Sequence, residues 1–244
     1  MSGSTSAFAA RADRRQQAIY LTELELEEGH PRFFQRLNPA ELAAVRLASR
    51  IYTAGPNEPV FTQGETHNGI FLIEAGRIRT FYVGPSGKEL TLAYWTPGHF
   101  VGGPEVFGGG THIWSAETME VSRIAHLPGA AVRHLAETIP AFALCLIDAL
   151  VAKGKCYSAL AQMLGTRSVT ARLAQLLLIL SAASGGDDDR HIERKITHEH
   201  LAGIIGSTRQ WVTATLARFQ KRGLISVSDD RIAILQPKVL RSEG

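Results

Sequence analysis

The residues best equipped for chemistry lie near the C-terminal end of this 244-residue chain. Ser207, Thr208, Arg209, Gln210 and Thr213 follow Gly206 at the start of a segment with helical periodicity (Val212, Leu216, Phe219). An arginine forks onto guanine O6 and N7, and a glutamine pairs twice with adenine N6 and N7. Short hydroxyls, here Ser207, Thr208 and the earlier Thr197, suit phosphate oxygens. Lys221 and Arg222 lie too far along the same helix to read bases. Charge follows the same gradient. Residues 190–244 carry ten Lys or Arg against five Asp or Glu, a net of +5, whereas residues 1–189 carry 16 against 18. A basic excess at one end is an electrostatic footprint of nucleic-acid binding.

A second group suits a small ligand. Gly102, Gly103, Glu105, His112 and Trp114 fall in a glycine-rich stretch, and Lys153, Tyr157 and Ser158 follow on a later helix. Trp95, Phe100, Phe107 and Trp114 offer aromatic walls. His67, His99, His112 and His126 are candidate haem ligands, with His112 the best placed. Catalytic signatures are missing: the chain has no HExxH, GxSxG, P-loop or CxxC. His198 and His200, two apart on a helix, point to different faces and cannot share a metal. Asp187–Asp189 reads as a solvated loop. Cys145 and Cys156, the two cysteines, stand three helical turns apart, about 16 Å. That is too far for a disulfide within the chain, and two thiols are too few for a four-thiolate zinc or iron–sulfur site. Neither an enzyme nor a metal site is expected.

The elements that position these groups are readable in outline. Residues 1–30 read as an arm and a short helix. Asn38, Pro39 and Glu41 form a capping box for a helix over residues 39–49. From Ile51 to Pro128, short β-branched and aromatic runs alternate with glycine and proline, the pattern of an antiparallel sandwich or barrel. Ile139, Ala143, Leu146, Leu150, Lys153, Tyr157, Leu160 and Leu164 step by four and three, a heptad seam for self-association. After a helix over Ser168–Ala183 and a polar loop, the Thr197-capped helix, the Gly206 turn, the Arg209–Arg222 helix and a hairpin over residues 225–234 form a winged helix-turn-helix. No run approaches the roughly 18 apolar residues of a membrane span, and the N-terminal stretch lacks a signal peptide's apolar core. A soluble cytoplasmic protein with no membrane partner is expected.

Four blocks together resemble the CRP/FNR superfamily of bacterial transcription regulators: Ala54–Glu65, Phe71–Ile78 (with Glu74-Ala75-Gly76), Thr96-Pro97-Gly98-His99-Phe100-Val101-Gly102, and Leu201–Ile225. The resemblance implies an α+β chain: a cyclic-nucleotide-binding-like β-roll (residues 31–137), a dimerisation helix and hinge (138–165) and a winged helix-turn-helix (166–244). It implies a homodimer on an inverted repeat of double-stranded DNA, with RNA polymerase as a further partner. An effector in the β-roll biases two orientations of the DNA-binding domains about a hinge near Leu164–Val169, and Tyr157 and Ser158 match positions that meet it across the dimer. Family chemistries differ in how well this chain meets them. Cyclic AMP calls for a Gly-Glu pair and a following Arg-Ser. Here Gly102 precedes Gly103-Pro104, Glu105 is the nearest acid, and Gly108–Trp114 holds no arginine to meet a phosphate. The iron–sulfur mechanism lacks its cysteines. Haem on His112, an uncharged or aromatic organic effector, or no effector at all remain open. The rival class is an effector-binding enzyme or regulatory subunit without DNA binding. Ala214 stands where the family often carries arginine, so the half-site is expected to depart from the best-known consensus.

Overall fold

The computed structural model describes residues 36–184, 191–193, 196–228 and 231–243. The expected arm and helix of residues 1–30 and the acidic loop at 187–189 lie outside them. Helix α1 (Pro39–Leu47) opens with the expected capping box. The Asn38 side chain accepts from the Ala40 and Glu41 amides, and the Glu41 carboxylate accepts from the Asn38 amide at 2.8 Å.

Eight strands follow: β1 (Arg50–Ala54), β2 (Pro59–Phe61), β3 (Gly69–Ala75), β4 (Ile78–Val83), β5 (Glu89–Trp95), β6 (Phe100–Val101), β7 (Ser115–Thr118) and β8 (Ser122–Pro128). They form two four-stranded sheets, ordered β1-β8-β3-β6 and β2-β7-β4-β5, with antiparallel pairs throughout. Phe61, Phe71, Ile73, Ile78, Trp95, Val101 and Ile124 fill the space between the sheets. Gly76 permits the β3–β4 turn: its φ is +87°, and a Cβ there would lie 2.2 Å from Ser122 Oγ.

Helix α2 (Gly129–Thr138) turns sharply into α3 (Pro140–Thr166), with Pro140 at the first position. Val132, Leu135, Phe142, Cys145 and Leu146 pack on Ile70, Leu72, Phe100 and Leu127. Here the structure corrects the expected seam. Leu146, Lys153 and Leu160 are buried against their own chain, Ile139, Ala143, Tyr157 and Leu164 are half-buried, and Leu150 alone of that series is exposed. The exposed apolar positions are Leu144, Ile147 and Val151, continued by exposed Gly154, Ser158, Ala161 and Gly165. These also step by three and four. The helix is apolar on two adjacent faces, and periodicity alone does not say which one the β-roll takes.

The C-terminal domain comprises α4 (Val169–Ser184), β9 (His191–Glu193), α5 (His198–Ile205), α6 (Arg209–Lys221), β10 (Ile225–Val227), β11 (Arg231–Ile234) and α7 (Pro237–Arg241). The wing is a three-stranded sheet, β10-β11-β9, rather than a bare hairpin. Its core includes Leu173, Leu177, Leu201, Ile205, Val212, Leu216, Phe219 and Ile232. Arg172 staples the junction, donating to the carbonyls of Leu164, Arg167 and Ile205 at 2.9–3.1 Å. It thus satisfies carbonyls at the end of α3 that have no partner within the helix. The domain docks on the β-roll through α5 and β5. Leu92, Tyr94 and Met119 join its core, and Lys88 Nζ donates to Gly206 O at 2.8 Å. Among the described residues, no single helix is long and apolar enough to cross a membrane.

Candidate DNA-reading surface and effector site

The first helix of the motif, α5, is fixed by its ends. The Thr197 hydroxyl accepts from the His200 amide at 3.2 Å, and Gly206 closes the helix in the left-handed region (φ +67°). In α6 the Thr208 hydroxyl accepts from the Trp211 amide at 3.2 Å. Both threonines are therefore N-caps, which leaves each hydroxyl one hydrogen for a phosphate. Val212, Thr215, Leu216 and Phe219 face inward. Arg209 and Gln210 are exposed at the N-terminal turn, where the helix dipole also favours an anion. Ser207 is half-buried beside them. Thr213 is exposed, but its hydroxyl is engaged: it donates to Arg209 O and lies 2.9 Å from His198 Nδ1. It anchors α6 to α5 and is less free for DNA than its position suggested. Ala214 and Ala217 complete the exposed face.

The effector candidates separate into two groups and one outlier. Lys153, Tyr157 and Trp114 come together with Trp95 and Phe100. Lys153 Nζ lies 3.9 Å above the Trp95 ring and 4.6 Å from Phe100, and Tyr157 packs on Trp95 and Trp114 at 6.3 and 5.6 Å. Desolvation lowers the Lys153 amine from its ordinary 10.5 to about 7. The same burial raises the Tyr157 phenol and pushes the Cys156 thiol up to about 12. Tyr157 approaches Thr80, but that hydroxyl already accepts from Trp95 Nε1, and the phenol makes no hydrogen bond of good geometry.

The second group is Gly102, Gly103 and His112, joined by His67. Gly103 N donates to His67 Nε2 at 2.7 Å, which leaves Nδ1 as the protonated nitrogen. A Cβ on Gly103 would lie 2.7 Å from the His67 ring, so that imidazole occupies the space of a side chain there. The His112 ring lies flat on Phe61 (centroids 3.9 Å, 12° apart) and 4.5 Å from His67. Burial and the facing imidazole hold it down at about 4, so it is neutral at physiological pH. Phe61 thus covers one face of the His112 ring, and His67 stands alongside it. Among the described residues, no three His, Cys, Asp or Glu side chains form a metal cluster. Glu105 is exposed, but its carboxylate borders the second group: Oε2 would lie 3.4 Å from a Cβ on Gly103, and its charge acts on His67. Ser158 is the outlier, exposed on the outward face of α3.

The amine makes a stability prediction. The unfolded chain keeps its lysine proton up to about 10.5, the folded chain only to about 7. Between those values unfolding takes up a proton, so stability rises with pH; below 7 the full cost remains. Lys153→Met is expected to raise the melting temperature at pH 7 and flatten its slope between pH 7 and 10. A lower melting temperature at pH 7 would count against an unpaired buried amine.

The residues that sequence reading passed over lie between the two domains. Arg79 is buried, with Nη1 2.7 Å from Glu117, Nη2 2.5 Å from Glu89 and Nε 3.0 Å from Thr91. A Cβ on Gly203 of α5 would come 3.0 Å from Thr91 Oγ1 and 3.7 Å from Arg79 Nη2. The glycine is what lets α5 approach β5. An Arg with acids at 89 and 117 carries no signal until β4, β5 and β7 are placed side by side.

Comparison with known proteins agrees with this geometry. The cyclic nucleotide-binding domain family matches residues 53–138, and the Crp-like helix-turn-helix domain family matches residues 171–243. The transcriptional regulator LdrP of Thermus thermophilus is 28% identical over 188 residues, covering 77% of this chain and 93% of that protein. The CRP-like cAMP-activated global transcriptional regulator of Mycobacterium tuberculosis is 25% identical, with 82% and 91% covered. The solved structure of the c-di-GMP-responsive global regulator CLP of Xanthomonas campestris shares the fold, with a TM-score of 0.72, 19% identity, and 81% and 99% covered. With a sensor-type β-roll and a DNA-binding helix-turn-helix matched in that order, the chain belongs to the CRP/FNR family of transcription regulators.

Proposed function

We propose that the protein is a homodimeric, sequence-specific regulator of transcription in the cytoplasm, a binding protein rather than an enzyme, whose DNA affinity is set by a small effector in the β-roll. The observation that carries this reading is the pair Arg209–Gln210, exposed at the N-terminus of α6 with the hydroxyls of Thr197, Ser207 and Thr208 nearby. Each subunit presents one such helix to a half-site of an inverted repeat, and RNA polymerase is the partner such a complex would engage. The second copy covers Leu144, Ile147 and Val151, where Gly154, Ser158, Ala161 and Gly165 allow close helix approach. Strand β5 offers a route between the two functions. Trp95 faces the effector group, while Leu92 and Tyr94 hold the DNA-binding domain. An effector that binds one arrangement of Trp95 more tightly biases the docking of α5.

Arg209→Ala is expected to cost about 1–3 kcal/mol of specific affinity and to relax preference at one base position. Competition binding to selected and random duplexes measures it. Equal loss on both would make Arg209 a phosphate contact instead.

A further inference from the structure

Strands β4 and β5 are joined by a tight hairpin, residues 84–88, that reaches the DNA-binding domain. Gly84 N donates to Lys88 O and Gly87 N to Gly84 O, each at 2.9 Å. The Gln63 side chain pins the base of the hairpin, accepting from Val83 N at 3.0 Å and donating to Val83 O at 3.3 Å. Lys88 therefore leaves a fixed backbone, and its Nζ donates to Gly206 O at 2.8 Å. Leu90 packs beside it: a Cβ on Gly206 would lie 3.6 Å from Leu90 Cδ1.

The residue that Lys88 meets stands between two helix ends. Gly206 closes α5, whose last carbonyls carry a partial negative charge. Two residues on, Thr208 caps α6, whose first amides favour an anion. The path from Gly206 to Thr208 is at most about 8 Å. That is shorter than the Debye length, about 10 Å at about 0.1 M salt. Capping α5 takes one of the ammonium's three hydrogens. Lys88 is exposed, and among the described residues Gly206 O is its hydrogen-bond partner and no carboxylate pairs with it. The adjacent acid, Glu89, is turned to Arg79 instead, at 2.5 Å. Two N–H groups of a fixed cation thus face solvent beside the start of the reading helix.

We propose that Lys88 of the β-roll binds a DNA phosphate, the one beside the N-terminus of α6. The proposal rests on the regulator reading and adds to it a contact from the other domain. Lys88 belongs to residues 1–189, where acids outnumber bases, so the charge gradient along the chain passes it over. Its ammonium reaches Gly206 only while α5 is docked on β5. The phosphate contact exists in the docked arrangement and is lost when the domains part, so DNA and docking favour each other by linkage. A phosphate contact carries no base information, and its contribution is the same on every sequence.

The test titrates the full-length protein with a duplex selected for binding and with one of random sequence, from about 50 to about 200 mM salt. Each lost phosphate contact makes the slope of log affinity against log salt shallower by about 0.9. Lys88→Gln, which keeps a polar side chain without the charge, is expected to flatten the slope by about 1.8 for a bound dimer, on both duplexes. Its deficit in affinity then shrinks about tenfold across that salt range. Lys88→Arg should restore the slope. A lysine that only caps α5 would, when replaced, lower the melting temperature of the free protein and leave the slope alone. An unchanged slope in Lys88→Gln, or a loss confined to the selected duplex, overturns the proposal. Binding by the wild type with that unchanged slope ends this proposal alone; a wild type that retains no duplex ends the regulator reading, and this contact with it.

Discussion

The double substitution Ile147→Glu/Val151→Glu is expected to give a folded monomer whose affinity for an inverted repeat falls by at least about 100-fold. Both side chains are more than half exposed on α3 and touch nothing the β-roll needs, so four carboxylates in the dimer would face one another across an apolar seam at no cost to the subunit. The DNA loss comes from valency. Two linked reading helices bind as one unit, with avidity about 10²–10⁴ above a single half-site. Light scattering gives the mass and fluorescence anisotropy the affinity. Leu146→Glu is the contrast: at 4% exposure it would bury a charge among Phe142, Val132 and Leu127 and unfold the β-roll. A double variant that remains dimeric with full affinity contradicts the seam.

The second large effect is at Arg79. Arg79→Ala removes the partner of Glu117 and Glu89 and the donor to Thr91 at the junction of the two domains. Breaking a buried pair costs about 3–5 kcal/mol. Glu89 is 44% and Glu117 26% exposed, so solvent screens part of this, and a loss of about 2–3 kcal/mol is expected. Calorimetry reads it as a lowered first transition. Gly203→Ala separates docking from stability. Its Cβ would press on Thr91 Oγ1 at 3.0 Å but make only ordinary contact with Arg79 Nη2 at 3.7 Å, so it should change DNA affinity with a smaller loss of stability. If Arg79→Ala melts as the wild type does, the arginine is not the structural hub the geometry makes it.

The DNA-reading end was legible because its signals are local. Thr197 and Thr208 cap, Gly206 turns, and Val212, Leu216 and Phe219 mark the inner face within one short stretch. What local signals could not supply was partnership. Thr213 pairs with His198, and Arg79 gathers acids from two other strands, contacts fixed only once distant segments meet. The exposed apolar face of α3 lies one position off the expected seam for a related reason. Leu146 and Ile147 are equally apolar, and only the docked β-roll decides which of them is inside. Strand β9 went unread because three residues pair with Arg231–Ala233 without a periodicity of their own. In the β-roll, the heptad spacing places Lys153 on the inner face of α3, but only the folded sheets show that its amine is buried 3.9 Å over the Trp95 ring.

Two α6 helices, held together along α3, are expected to read an inverted repeat. Selection of bound duplexes from a random library by the purified full-length protein, with sequencing of the retained pool, measures this. The expected result is enrichment of an inverted repeat with half-sites about one helical turn apart, lost at one base position in Arg209→Ala. A pool that stays random, with binding that depends only on salt, would contradict it.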